Sequence, residues 1–344
     1  MKADGVLLVN LGSPDSTDVP DVRRYLREFL SDDRVLDAPK LIQQAVLNLT
    51  ILPFRPKKTA EAYSTIWTDE GSPLIISTEE IAQKLRERLD IPVEIGMRYG
   101  NPSSEQGVMK LLAKGVRRIF LIPLYPHYAM SSYETAVVKV QEVVAKVAPD
   151  VDLVVQPPFF NDPRYVDALV KHTQPFLEED YDLLLFSYHG IPERHLRKSD
   201  PSHAYCLADP RCCEKTHPAH ATCYRAQVFA TSRLFAERAG IPREKWHLTF
   251  QSRLGRDPWL KPYTDMELEA FPSRGFKRIV VMCPAFISDC LETLEEIAEE
   301  GKECFIEAGG LDFRYAPCLN DSDAFIDVLE GFVGDFREGV LESA

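Results

Sequence analysis

Seven short apolar runs punctuate this chain: Gly5 to Val9, Val93 to Met97, Ile119 to Leu124, Leu153 to Val155, Leu183 to Phe186, His247 to Phe250 and Ile279 to Met282. Most are separated by segments of helical period, such as TEEIAQKLRERL and ETAVVKVQEVVAKV. Continuous apolar runs mark strands buried on both faces, and the intervening helices supply the right-handed crossovers that parallel strands require. The pattern predicts an α/β fold with parallel sheets flanked by helices. At 344 residues the chain suits two domains. A break falls near IPLYPHYAM, where Pro123 and Pro126 interrupt a strand just before a second series of units. No internal repeat is visible. The first strand runs into NLGSPDS, which lacks the G-x-G-x-x-G of a dinucleotide turn.

The formal net charge of -13 argues against nucleic acid, because phosphate contacts need clustered Lys and Arg. The opening MKADGVLLVNLG holds an apolar run too short for a secretory signal, and no later stretch approaches the ~18 apolar residues of a membrane span. The expectation is a cytoplasmic protein. Nothing in the sequence bears on oligomeric state. Residues 18 to 89 hold unusually long helical material, including APKLIQQAVLNLTILPF. One reading is an extra helical layer. The other is a lip over a large apolar ligand that also touches a membrane surface, because Leu47, Leu49, Ile51, Leu52 and Phe54 are difficult to bury all round.

The run DLLLFSYHG stops at His189, and Gly190-Ile191-Pro192 ends the strand, so the imidazole belongs at the carboxyl edge of a sheet, where open α/β sheets bind ligands. A second edge follows RIVVMCPAF. If a helix begins there at Ser288 or Asp289, then Asp289, Glu292 and Glu296 share one face. Asp289 with Glu292 equally fits a capping box. A histidine facing carboxylates handles protons, and a row of carboxylates offers hard oxygens to a divalent cation. Trp259, Tyr263, Phe286, Tyr125, Tyr128 and Tyr99, all near strand ends, read either as core or as walls for a flat aromatic ligand.

Four of the eight cysteines, Cys206, Cys212, Cys213 and Cys223, fall within 18 residues, where metal ligation is favoured over disulfides. Cys283, Cys290, Cys304 and Cys318 are scattered and read as buried thiols.

Together these motifs resemble the ferrochelatases, which insert ferrous iron into a porphyrin at the last step of haem formation. GVLLVNLGSPDS, EGSPL, MRYGNPS, PLYPHYAMSS, SYHGIPERH, TFQSRLGRDPWLKPYTD and CPAFISDCLETLEEI match in order over residues 5 to 320. The resemblance implies two Rossmann-like domains with an active-site cleft between them. The first would span 1–125 with the helical lip, and a C-terminal helix within 321–344 would pack back on it. The second would span 126–320, with the Cys-rich insertion at 200–224. The substrates implied are ferrous iron and a porphyrin, taken as protoporphyrin IX. By resemblance, His189 accepts pyrrole protons or ligates incoming metal, and Glu292 is its partner across the macrocycle. Asp289 and Glu296 extend the path of Fe2+, while Leu11, Tyr99, Tyr125, Trp259 and Phe286 line the porphyrin pocket. The position after Asp289, often His in the family, is Cys290 here. Some ferrochelatases carry a 2Fe-2S cluster, which makes Cys206, Cys212, Cys213 and Cys223 its expected ligands. Zinc, with His203, His217 and His220 interleaved, is the competing metal. A reading from another class is a haem- or iron-responsive Fe-S binding protein on the same scaffold, and cobalt chelation of a related macrocycle is a third.

Overall fold

In the computed structural model, which describes residues 3–255 and 257–341, all seven apolar runs are strands. They are β1 (Asp4–Asn10), β2 (Val93–Met97), β3 (Arg118–Pro123), β4 (Asp152–Val155), β5 (Leu183–His189), β6 (Trp246–Gln251) and β7 (Arg278–Met282). An eighth, β8 (Asp312–Ala316), has no apolar run because only Phe313 and Ala316 are buried. It pairs with β7 alone, and an edge strand needs fewer buried positions than a central one.

Two four-stranded parallel sheets result, with orders β2-β1-β3-β4 and β6-β5-β7-β8. Each begins with its first strand in chain order at an inner position, places the next strand on one side and the third on the other. The crevice where the chain changes direction therefore lies between β1 and β3 in one sheet and between β5 and β7 in the other, the usual ligand position in open sheets. The chain forms two compact units: residues up to Leu124, Met130–Pro157 and Ile326 onward make one, and Tyr125–Ala129 with Pro158–Phe325 the other. Helix Asp323–Arg337 brings Phe336 into the first unit, where its ring stacks on Phe120 at 4.7 Å between centroids. Residues 342–344 of the expected C-terminal helix lie outside the described residues.

The helical material after β1 comprises Val19–Leu30, Lys40–Val46, a π-turn at Leu47–Ile51, Arg55–Ile66 and Pro73–Arg88. Leu47 and Leu52 are in the core, whereas Leu49 and Phe54 are exposed together with Leu41 and Ile42. The segment is thus a packed layer with an apolar outer rim. Gly12, just past β1, has φ +101°, and a Cβ there would stand 1.8 Å from the Tyr99 carbonyl oxygen. Only glycine allows the two strand ends to approach so closely, and the approach lets the Tyr99 amide donate to the Leu11 carbonyl at 2.9 Å.

Candidate active site

His189 is the last residue of β5 and is half-buried, the six residues before it being fully inside the sheet. Its Nδ1 lies 2.6 Å from the Gly190 carbonyl oxygen. A carbonyl only accepts, so Nδ1 carries the proton and Nε2 of the neutral ring carries the lone pair. Both groups of the His189–Gly190 peptide are also held. Its N–H donates to the Gln251 carbonyl at 2.7 Å, and its C=O accepts from the Tyr224 hydroxyl at 2.9 Å. A Cβ at residue 190 would meet the Gln251 and Ser252 carbonyl oxygens at 2.9 and 3.1 Å, which explains the glycine after the histidine.

The Trp259 and Phe286 rings each stand 6.4 Å from the imidazole, and Trp259 is fixed by donating Nε1–H to the Leu254 carbonyl at 3.0 Å. Tyr125 is buried in the same unit. Leu11 and Tyr99 sit in the other unit, just beyond the carboxyl ends of β1 and β2. There Leu11 is partly exposed, whereas Tyr99 is wholly buried and donates its hydroxyl to Asp32 at 2.9 Å.

The cysteine segment is organised around two side chains that the spacing did not single out. Buried Asp200 accepts from the Ser202, Tyr205 and Cys206 amides and the Ser202 hydroxyl at 2.7 to 2.9 Å. Burial works to raise its pKa, but these four donors outweigh burial and hold the carboxyl well below its usual range. The Tyr205 hydroxyl reaches across to donate to the Cys212 carbonyl at 2.9 Å. The Cys212 and Cys213 sulfurs are 3.9 Å apart. Burial pushes the Cys206 thiol up to about 11. Among the described residues, no three or more His, Cys, Asp or Glu side chains are gathered around one point so as to hold a metal ion.

The acidic stretch departs from the α-helical expectation. The helix begins at Leu291, capped by a Cys290–Thr293 box, and after one turn widens into a π-helix over Leu294–Gly301. No Asp289–Glu292 box forms, because the Asp289 carboxylate accepts from the Tyr315 hydroxyl at 2.7 Å, the Asn320 amide at 2.7 Å and the Thr293 hydroxyl at 3.0 Å. Two neighbouring residues at the end of β6, both missed in the sequence, hold the row. Gln251 donates its side-chain amide to the Glu292 backbone carbonyl, and Ser252 binds both Glu296 carboxylate oxygens, through its amide at 2.8 Å and through its hydroxyl. Burial raises the Glu296 pKa against the opposing pull of Ser252 and His189, and nearby Glu292 adds to the rise. Glu296 also lines a cavity of about 290 Å³ with Ser252, Arg253, Asp265 and Glu300. Burial, followed by the charge of Glu300, pushes Glu295 up to about 7. An upward shift means that the folded chain binds these protons more tightly than the unfolded chain. The resulting stability is full below the ordinary value of 4.5 and lost as pH rises through about 7. Glu295→Gln should therefore melt above wild type at pH 8, with the gap closing toward pH 4.5 in paired thermal melts. A gap independent of pH would show that this carboxyl ionises freely.

The ferrochelatase family model matches residues 3–335. A ferrochelatase of Opitutus terrae is 54% identical over 327 residues, covering 94% of this chain and 95% of its own. One from Pseudomonas fluorescens is 48% identical over 331 residues, covering 96% and 97%. Among solved structures, SirB from Bacillus subtilis with Fe3+ aligns with a TM-score of 0.53 at 14% identity over 97% of this chain and 95% of that one. The sirohydrochlorin chelatase SirB of B. subtilis subspecies spizizenii in complex with cobalt aligns with a TM-score of 0.55 at 11% identity, covering 97% and 94%. At such identities the likeness is one of fold. The near-complete family match and relatives at about half identity go further: this chain belongs to the ferrochelatase family, the lyases that insert ferrous iron into a porphyrin for haem synthesis.

Proposed function

We propose that this chain metallates protoporphyrin IX with His189 and Glu292 as the groups that take the pyrrole protons. The observation that carries the assignment is the bond from His189 Nδ1 to the Gly190 carbonyl, which leaves Nε2 as a base at a sheet edge. The reaction moves no electrons. The macrocycle loses two N–H protons, and its four nitrogens bind Fe2+. A planar ring has to buckle before metal enters, and strain of roughly 1 to 5 kcal/mol is within what remote apolar contacts supply. Trp259, Phe286, Tyr125 and Leu11 are the contacts assigned, with Tyr99 holding Leu11 through its amide. Iron arrives along Glu296, Glu292 and Asp289, whose hard oxygens suit the cation. Nε2 has one lone pair to give at any moment, so a metal carried on carboxylate oxygens leaves that lone pair free for a pyrrole proton. A haem- or iron-responsive binding protein would not require a clamped base, and family membership favours the enzyme.

The 2Fe-2S reading of Cys206, Cys212, Cys213 and Cys223 rests on their bunching within 18 residues, the Cys212–Cys213 contact and the burial of Cys206, Cys212 and Cys223. Four thiolates satisfy such a cluster, and their protons would leave on ligation. Bound there, the group would supply order to the segment. The cellular setting assigned is the cytoplasm. The exposed rim of Leu41, Ile42, Leu49 and Phe54 would rest on a membrane face, where an apolar porphyrin partitions. Among the described residues, no helix is long and apolar enough to cross a membrane.

His189→Ala and Glu292→Gln should each lower metal insertion by about a hundredfold or more, followed as loss of porphyrin fluorescence, with Glu296→Gln milder. Undiminished insertion by His189→Ala would overturn the assignment. Purified protein should be red-brown, and Cys→Ser at any of the four clustered positions should bleach it, whereas the same change at Cys283, Cys290, Cys304 or Cys318 should not. Colourless protein with stoichiometric zinc would show the other metal. Leu49→Asp combined with Phe54→Asp should cut co-sedimentation with phospholipid vesicles severalfold, and equal retention would remove the rim's membrane role.

A further inference from the structure

Cys223 caps helix Tyr224–Arg238, and the first three residues at this junction face both the cysteine segment and the end of β5. Cys223 carries one of the four clustered thiols of the segment. The Arg225 guanidinium lies 3.4 Å from the Cys213 sulfur and 3.7 Å from that of Cys212. Between them, Tyr224 points the opposite way and donates its hydroxyl to the His189 carbonyl at 2.9 Å. Tyr224 is buried, its ring edge-on to His127 at 6.0 Å, and His127 is itself fixed to Thr231 at 2.8 Å on the same helix. Further along that helix, Ser232 pairs with the Tyr188 hydroxyl at 2.8 Å. The helix is therefore registered to two successive residues of β5.

We propose that Tyr224 is a positioning residue for His189. The inference rests on the reading of His189 as proton acceptor. Tyr224 and Gln251 grip opposite sides of the His189–Gly190 peptide, and the next carbonyl, that of Gly190, fixes the imidazole tautomer. Loss of the Tyr224 bond frees one side of that grip only. The peptide then tilts and the imidazole tilts with it, and small misplacements of a reacting group are costly in rate.

Tyr224→Phe removes one oxygen and keeps the ring. It should lower kcat about tenfold while the KM values for porphyrin and ferrous iron change less than twofold, and it should move the His189 Nδ1 resonance in the nitrogen-15 spectrum of the histidine-labelled protein. Wild-type kcat in Tyr224→Phe, or an unmoved His189 resonance, would overturn the inference. His189→Ala separates the two levels of failure: if it retains activity, the reading of the site is wrong; if it is inactive while Tyr224→Phe is unaffected, only the link through Tyr224 is wrong.

Discussion

Gln251 is the side chain that ties together the carboxyl ends of the second unit's strands. It is buried at the end of β6 and satisfies each of its polar groups on a different element. Its side-chain oxygen accepts from the Ser187 hydroxyl of β5 at 2.7 Å and from the Cys283 thiol, just after β7, at 3.6 Å. Its side-chain amide binds the Glu292 carbonyl, and its main-chain carbonyl receives the Gly190 amide at 2.7 Å. One residue thus sets the separation of the strand that ends in the histidine from the helix that bears the carboxylates. An apolar residue here would strand buried partners without water, at a cost of about 1 to 3 kcal/mol for each group left unpaired. The arrangement is therefore all or nothing, as suits a site whose geometry has to persist while a large ligand enters and leaves.

What the sequence reveals follows from how each feature is encoded. Central parallel strands must be apolar on both faces, so seven were readable, while β8, with Arg314 and Tyr315 only partly covered, was not. The two sheets share one strand order although the chain shows no repeat, because crossover rules constrain topology far more than sequence. His189 stood out because an imidazole ending an apolar run is rare. Gln251, Ser252 and Tyr224 did not. They act on backbone carbonyls and on a carboxylate brought near by strand register, and no local pattern records which carbonyl an uncharged side chain will meet.

The acidic row shows where periodicity misleads. A period of 3.6 places Asp289, Glu292 and Glu296 on one face of a helix that would start at Asp289. In the fold Asp289 is occupied by Tyr315, Asn320 and Thr293 before the helix begins, and the following turns are wound as a π-helix. With bonds running from i to i+5, residues four and five apart come over one another. Glu296 and Glu300 then line one cavity, and Glu295 is brought to Glu300. The wider winding packs more acidic groups onto one stretch than an α-helix would, and π-segments persist chiefly where function requires them.

The carboxylates of this unit divide by what the fold does to them. Asp200 is surrounded by donors that favour its charge, and it orders a loop at every pH where it is ionised. Glu295 and Glu296 are treated in the opposite way, since burial, with the charge of Glu300 on the first and of Glu292 on the second, resists ionisation and costs stability near neutrality. A group maintained at the expense of the fold points to work other than folding. Glu296 stands within the field of His189 on one side and lines the cavity on the other. A carboxyl pushed toward its neutral form by burial and drawn back toward its charged form by Ser252 and His189 sits between two opposing pulls, so its charge responds to its surroundings more readily than that of an exposed carboxylate.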